Sequence, residues 1–264
     1  MQAKINGITM RFDLAGKAQA PVVILVHGFP FDLSLWKAQV AALKKDFRVL
    51  SYDLRGMGKS GLGPVPQPLE AYVDDLFALM DHLGLKQAAA AGLSMGGYIV
   101  LRAMQREPSR FWALALCDTR ADADSDEGRL KRAAGIKAVR EKGMAAFVKG
   151  MLPNLLCKQK SPAATALLKM MLSSNADGVA NALAAMAART DSTASLKDIK
   201  IPALVVTGDQ DALMPPLIAK GLASKIKASQ FVEIPDAGHV SNLENPVAFN
   251  KAFLAFLRKA ASRT

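Results

Sequence analysis

The stretch Gly92-Leu93-Ser94-Met95-Gly96-Gly97 limits most what this chain can fold into, because it sets a hydroxyl between glycines where two kinds of periodicity meet. Upstream, Gln87-Ala88-Ala89-Ala90-Ala91 is small and apolar; downstream, Tyr98-Ile99-Val100-Leu101-Arg102-Ala103-Met104 has helical character. Ser94 therefore falls at a strand-to-helix junction. A turn that sharp strains the backbone of its central residue and tolerates only small neighbours two positions before and after it, a need met by Gly92 and Gly96.

Around that junction the chain alternates strand and helix. Val22-Val23-Ile24-Leu25-Val26 is continuously apolar and β-branched, the pattern of a central strand covered on both faces, and it stops at the turn His27-Gly28-Phe29-Pro30. Leu33, Trp36, Val40 and Leu43 recur at helical spacing, residues 47–52 read as a strand, and Leu69, Tyr72, Val73, Leu76, Leu79, Met80 and Leu83 predict a helix ending at Gly84. Before them, residues 4–14 alternate apolar and polar with Asn6-Gly7 near the start, which predicts an antiparallel edge hairpin. Regular strand-helix alternation predicts a parallel sheet, and ligands of such sheets bind beyond the carboxyl ends of the strands, where both His27-Gly28-Phe29 and Ser94 lie.

After the strand at residues 112–117 the rhythm breaks. Residues 119–190 contain no strand-like run, only Ala-, Lys- and Met-rich helical stretches interrupted by Gly128, Gly135, Gly143, Pro153 and Pro162. We read residues 119–194 as an inserted helical cap on a core made of residues 1–118 and 195–264. The alternation resumes with a strand at 201–207, a helix near 217–225, a strand at 230–234 and a closing helix at 246–259.

A serine hydroxyl needs a base to take its proton and an acid to orient that base. The chain has three histidines. His82 sits in a helix, and His27 ends the central strand, where it buttresses the following turn. His239, in the loop Pro235-Asp236-Ala237-Gly238-His239 after a C-terminal strand, is the candidate base. The acid belongs in a loop after a strand. Asp211 in Gly208-Asp209-Gln210-Asp211 is the first choice, Asp118 at the end of the preceding strand is the alternative, and Asp209 reads as a turn or salt-bridge residue.

These motifs, in this order, resemble the α/β-hydrolase superfamily over nearly the whole chain. His27-Gly28-Phe29-Pro30 is similar to that family's oxyanion turn, residues 92–97 to its nucleophile elbow, Gly208 to Asp211 to its acid loop and Gly238-His239 to its histidine loop. Residues 92–97, Asp53-Leu54-Arg55-Gly56 and Asp118-Thr119-Arg120-Ala121-Asp122 further resemble the 3-oxoadipate enol-lactonase and small carboxylesterase group. One departure is Met57, where the commoner loop has histidine, which removes a polar group from the outer wall of the pocket. The resemblance implies an α/β fold with a mostly parallel eight-stranded sheet flanked by helices, and a triad of Ser94, Asp211 and His239. It also implies an oxyanion hole made of the backbone N–H groups of Phe29 and Met95, and hydrolysis of a small-molecule ester or lactone through an acyl-enzyme. The alternatives on the same residues are C–C bond hydrolysis, acyl transfer to another alcohol, cofactor-free peroxidation, or a non-catalytic small-molecule receptor.

Composition narrows the setting. A net charge of +11 arises from scattered basic residues, so we expect a basic surface that attracts anions, with no nucleic-acid partner. No apolar run precedes Val22 or reaches membrane-spanning length, and two cysteines make no disulfide framework, so a cytoplasmic protein without a membrane partner is expected. No His, Cys or carboxylate cluster has ligand spacing; neither metal nor cofactor is expected. The sequence leaves the oligomeric state unknown. The cap methionines Met144, Met151, Met170, Met171 and Met186 are read first as core filling and second as lining of an acyl pocket.

Overall fold

A computed structural model describes residues 1–263. Asn6 and Gly7 both adopt positive φ (44° and 78°), the conformation a two-residue hairpin turn demands, and they join β1 (Gln2–Ile5) to β2 (Ile8–Ala15). The remaining strands are β3 (Val22–Val26), β4 (Arg48–Tyr52), β5 (Ala88–Leu93), β6 (Phe111–Cys117), β7 (Ala203–Gly208) and β8 (Ser229–Ile234). They form one eight-stranded sheet in the order β1-β2-β4-β3-β5-β6-β7-β8, with β1, β2 and β4 paired antiparallel and every pairing from β4 onward parallel.

Alternation along the central strands sends side chains to two separate cores. Ile24, Val26, Ala90, Leu114, Leu116 and Val205 join one buried cluster, whereas Val23, Leu25, Ala89, Ala91, Ala113 and Val206 join the other. Helices α2 (Leu69–His82), α3 (Met95–Arg106) and α7 (Pro216–Ser224) cover the first face, through residues such as Leu76, Ile99 and Leu222; α1 (Lys37–Leu43) and α9 (Pro246–Ala261) cover the second through Leu43, Phe249 and Phe253. The four alanines of β5 keep the middle of the sheet thin, which lets α3 approach. A methyl group on Gly96 would strike the carbonyl of Val26 in β3.

The segment between β6 and β7 carries α4 (Asp126–Met151), α5 (Pro162–Leu172) and α6 (Ala176–Ala187). Their N-termini are capped by Ser125, Ser161 and Asn175, each accepting from an N–H three residues on. The expected interruptions act differently from one another. Gly128 and Gly135 lie inside α4, Gly143 (φ 77°) kinks it, and Pro162 opens α5, where a proline's missing N–H costs nothing. The single helix expected over residues 33–43 is a 3₁₀ turn at Leu33–Trp36 followed by α1, because Asp32 caps the tighter turn through the Ser34 N–H. A short helix α8 (Ser241–Glu244) lies between β8 and α9 and was not anticipated from the sequence. No helix among the described residues is long and apolar enough to cross a membrane.

Candidate active site

Ser94 stands between β5 and α3 with φ 53° and ψ −114°, a backbone conformation a side chain rarely adopts. The surroundings fix it there. Its N–H donates to the Cys117 carbonyl at 2.9 Å, and its carbonyl accepts from the Gly97 N–H and the Thr119 hydroxyl at 2.9 and 2.8 Å. A methyl on Gly92 would collide with the Gly96 carbonyl, so the glycine spacing read from the sequence is a close-approach requirement.

From β8 comes His239, fully buried, with Nε2 2.9 Å from the Ser94 hydroxyl and Nδ1 2.8 Å from Asp211 Oδ2. The second Asp211 oxygen accepts from the Leu213 and Met214 N–H groups, both at 2.9 Å, which aims the carboxylate at the imidazole. Nδ1 is thus the donor nitrogen, leaving Nε2 to accept from the serine. Burial pulls the His239 pKa down, but the adjacent Asp211 charge and hydrogen bond, with a further contribution from Asp118, outweigh it and hold the imidazole above its ordinary value.

Asp118 stands apart from that chain of contacts. It is completely buried at the end of β6, where it accepts from the Gly208 N–H at 2.9 Å and the Ser241 hydroxyl at 2.7 Å and makes no bond to His239. Burial, reinforced by the Asp211 charge, pushes its carboxyl up to about 8. Asp209 accepts from the Ala237 N–H at 3.2 Å, the turn role expected of it.

His27 has no exposure and faces neither Ser94 nor solvent. Its Nε2 accepts from the Leu54 N–H at 2.9 Å and its Nδ1 donates to the Gly28 carbonyl at 2.8 Å, so it joins the turn after β3 to the loop after β4. Burial lowers its pKa, which keeps it in the neutral form that can do both. In that turn the Phe29 N–H, like that of Met95 at the first helical position of α3, has no acceptor among the described residues.

The cavity outside Ser94 and His239 has a volume of about 400 Å³. Its apolar wall is Phe29, Phe147, Met151, Leu183, Met186 and Met214; its polar wall, which the sequence did not announce, includes Arg120, Asp124 and Arg132. Asp124 accepts from Arg132 Nε at 3.1 Å and from the buried Arg189 at 2.6 Å, so one carboxylate faces two guanidinium groups. Neither Nη atom of Arg132 has a protein partner among the described residues. Of the cap methionines, Met151 and Met186 line the cavity, Met170 and Met171 fill the second core, and Met144 packs against both cores. Met57 is buried in the first core and does not line the cavity, so it does not occupy the outer-wall position expected of it.

The alpha/beta hydrolase fold family matches residues 21–246. A 3-oxoadipate enol-lactonase of Acinetobacter baylyi is 30% identical over 258 residues, covering 96% of this chain and 94% of its own length. Among solved structures, a thermophilic esterase from Thermogutta terrifontis superposes with a TM-score of 0.94 at 39% identity, covering 98% of this chain and 99% of its own. The enol-lactonase from Burkholderia xenovorans superposes with a TM-score of 0.91 at 33% identity, covering 98% and 100%. The sheet order, the strained serine between β5 and α3, and near-complete coverage by relatives that hydrolyse ester bonds agree: this chain belongs to the α/β-hydrolase family.

Proposed function

We propose that this protein hydrolyses small carboxylic esters or lactones through an acyl-enzyme, with Ser94 as nucleophile, His239 as base and Asp211 as the acid that orients it. The observation that carries the reading is the unbroken chain from Ser94 Oγ through His239 to Asp211, at 2.9 and 2.8 Å, opening onto a cavity of substrate size. As the Ser94 oxygen bonds to the substrate carbonyl carbon, its proton passes to Nε2, and Asp211 stabilises the resulting imidazolium. The carbonyl oxygen gains negative charge at that moment. The acceptor-free N–H groups of Phe29 and Met95 are the donors for it, each contributing about 3 kcal/mol of barrier lowering. His239 then returns the proton to the leaving alkoxide, and a water molecule attacks the acyl-enzyme by the same route. Residues 119–194 serve as a cap on the core of residues 1–118 and 195–264, and α4 and α6 supply much of the substrate wall. Turnover of p-nitrophenyl acetate by the wild type, lost in Ser94→Ala, tests the assignment; equal rates for the two proteins refute it.

A lactone carrying a carboxylate is a second reading of the same site, favoured by the unpaired Arg132 Nη atoms on the cavity wall. Arg132→Gln is then expected to raise KM about 10-fold for an acidic lactone and to leave that of a neutral lactone of equal size unchanged, as steady-state kinetics on the pair would show.

A further inference from the structure

The loop that carries His239 is clasped by the segment between α4 and α5. Glu244, the last residue of α8, turns its carboxylate back toward that loop. One oxygen accepts from the Gly238 N–H at 2.7 Å; the other accepts from the N–H groups of Cys157 and Lys158 at 3.0 and 3.2 Å. The next N–H along, that of His239 itself, donates to the Leu155 carbonyl at 3.0 Å. Two successive peptides of the histidine loop are therefore fixed by residues 155–158, one directly and one through Glu244. The contact is close enough to exclude a side chain: a methyl on Gly238 would lie 2.8 Å from the Cys157 nitrogen. Leu155 and Leu156 are buried in the second core, and the Cys157 thiol and Lys158 ammonium both reach back to Asp236, at 3.1 and 3.4 Å.

We infer that Glu244 is a positioning residue: its carboxylate latches the strap of residues 155–158 to the His239 loop and so holds the imidazole in line with Ser94. The inference rests on the serine-hydrolase reading of the site. Three backbone donors converge on one carboxylate with no side-chain cation among its partners, so its loss leaves three N–H groups without their acceptor at once. The imidazole sits about one hydrogen-bond length from the hydroxyl, and a displacement near 1 Å costs about 100-fold in rate. Leu183 and Met186, which line the cavity from α6, belong to the other buried cluster, so that part of the substrate wall stays in place when the latch opens.

The test compares wild type, Glu244→Gln and Glu244→Ala by p-nitrophenyl acetate kinetics, thermal melting and hydrogen–deuterium exchange. Glu244→Ala is expected to lower kcat between about 10- and 100-fold with KM within about twofold. Glu244→Gln, which keeps one acceptor oxygen, should fall between it and the wild type. Exchange should rise in residues 155–158 and 236–240 together, with β7 unaffected. Unchanged kcat, an effect confined to KM, or a loss of kcat without faster exchange at 236–240 overturns the inference. If Glu244→Ala fails to show a folded melting transition, Glu244→Gln decides by the same criteria. A wild type with no turnover refutes the serine-hydrolase reading instead, and the exchange measurement still decides whether the latch exists.

Discussion

Two neighbouring strands each deliver a carboxyl group to the same end of the sheet, and the two groups differ in what they do there. Asp211 follows β7 in an open turn, where two backbone N–H groups hold one oxygen and leave the other for His239. Asp118 follows β6 directly, with a positive φ of 47°, and both its oxygens are taken by Gly208 and Ser241. The first group is surrounded by N–H donors and an imidazole. At the second, burial and the Asp211 charge outweigh His239 and the two neutral donors, and its pKa is pushed up to about 8. On the proposed reading, the acid is therefore chosen by the direction of its free lone pair and not by proximity to the histidine.

The largest effect expected from this difference is on Asp211→Asn, which removes the charge that stabilises the imidazolium and lowers kcat by about 10⁴-fold in steady-state ester hydrolysis. The same variant moves the pH profile. As the proposed base, His239 would act only when neutral, and its pKa is raised, so wild-type kcat/KM should climb through a midpoint above 6.5. With the Asp211 charge gone, burial is the dominant influence left, and the midpoint of the residual activity should move below that value.

Asp118→Asn sharpens the contrast from the other side. At pH 7 a carboxyl with its pKa near 8 is mostly protonated, and an amide can accept from Gly208 and donate to Ser241 in its place. Activity should stay within about threefold of wild type by the same assay. The reverse pattern, with Asp118→Asn inactive and Asp211→Asn active, would exchange the two roles. Stability carries a further signature. Between the unfolded carboxyl value of 3.8 and the folded value near 8, the native state holds a proton that the unfolded chain has released, so stability declines as pH rises through that window. Denaturant midpoints across this range should fall less steeply in Asp118→Asn than in the wild type. Ser241→Ala is expected to have the smallest effect, about 1 kcal/mol of stability measured at neutral pH, from one lost buried hydrogen bond.

The sheet and the residues that meet at Ser94 were legible in the sequence because each leaves a local signal. The run of Val22 to Val26 marks a strand covered on both faces, Gly92 and Gly96 mark a close approach, and a lone loop histidine after the last strand leaves few choices of base. Asp211 and Asp118 could only be ranked from the sequence, since the distinction lies in which backbone N–H groups point at each oxygen. The polar wall of the cavity was not read at all. Arg132, Asp124 and Arg189 are separated by up to 65 residues and meet only through the packing of α4 against the segment after α6. Glu244 is hidden for the same reason: its partners are backbone groups of residues 157, 158 and 238, which no side-chain pattern announces.

On the proposed reading, Ser94 is a nucleophile activated by His239. Covalent labelling with a fluorophosphonate probe, located by peptide mass spectrometry, tests it most directly because it needs no knowledge of the natural substrate. One probe per chain on the peptide containing Ser94, with labelling abolished in His239→Ala, is the predicted result. An unlabelled Ser94 in folded wild-type protein, or equal labelling without His239, would contradict it.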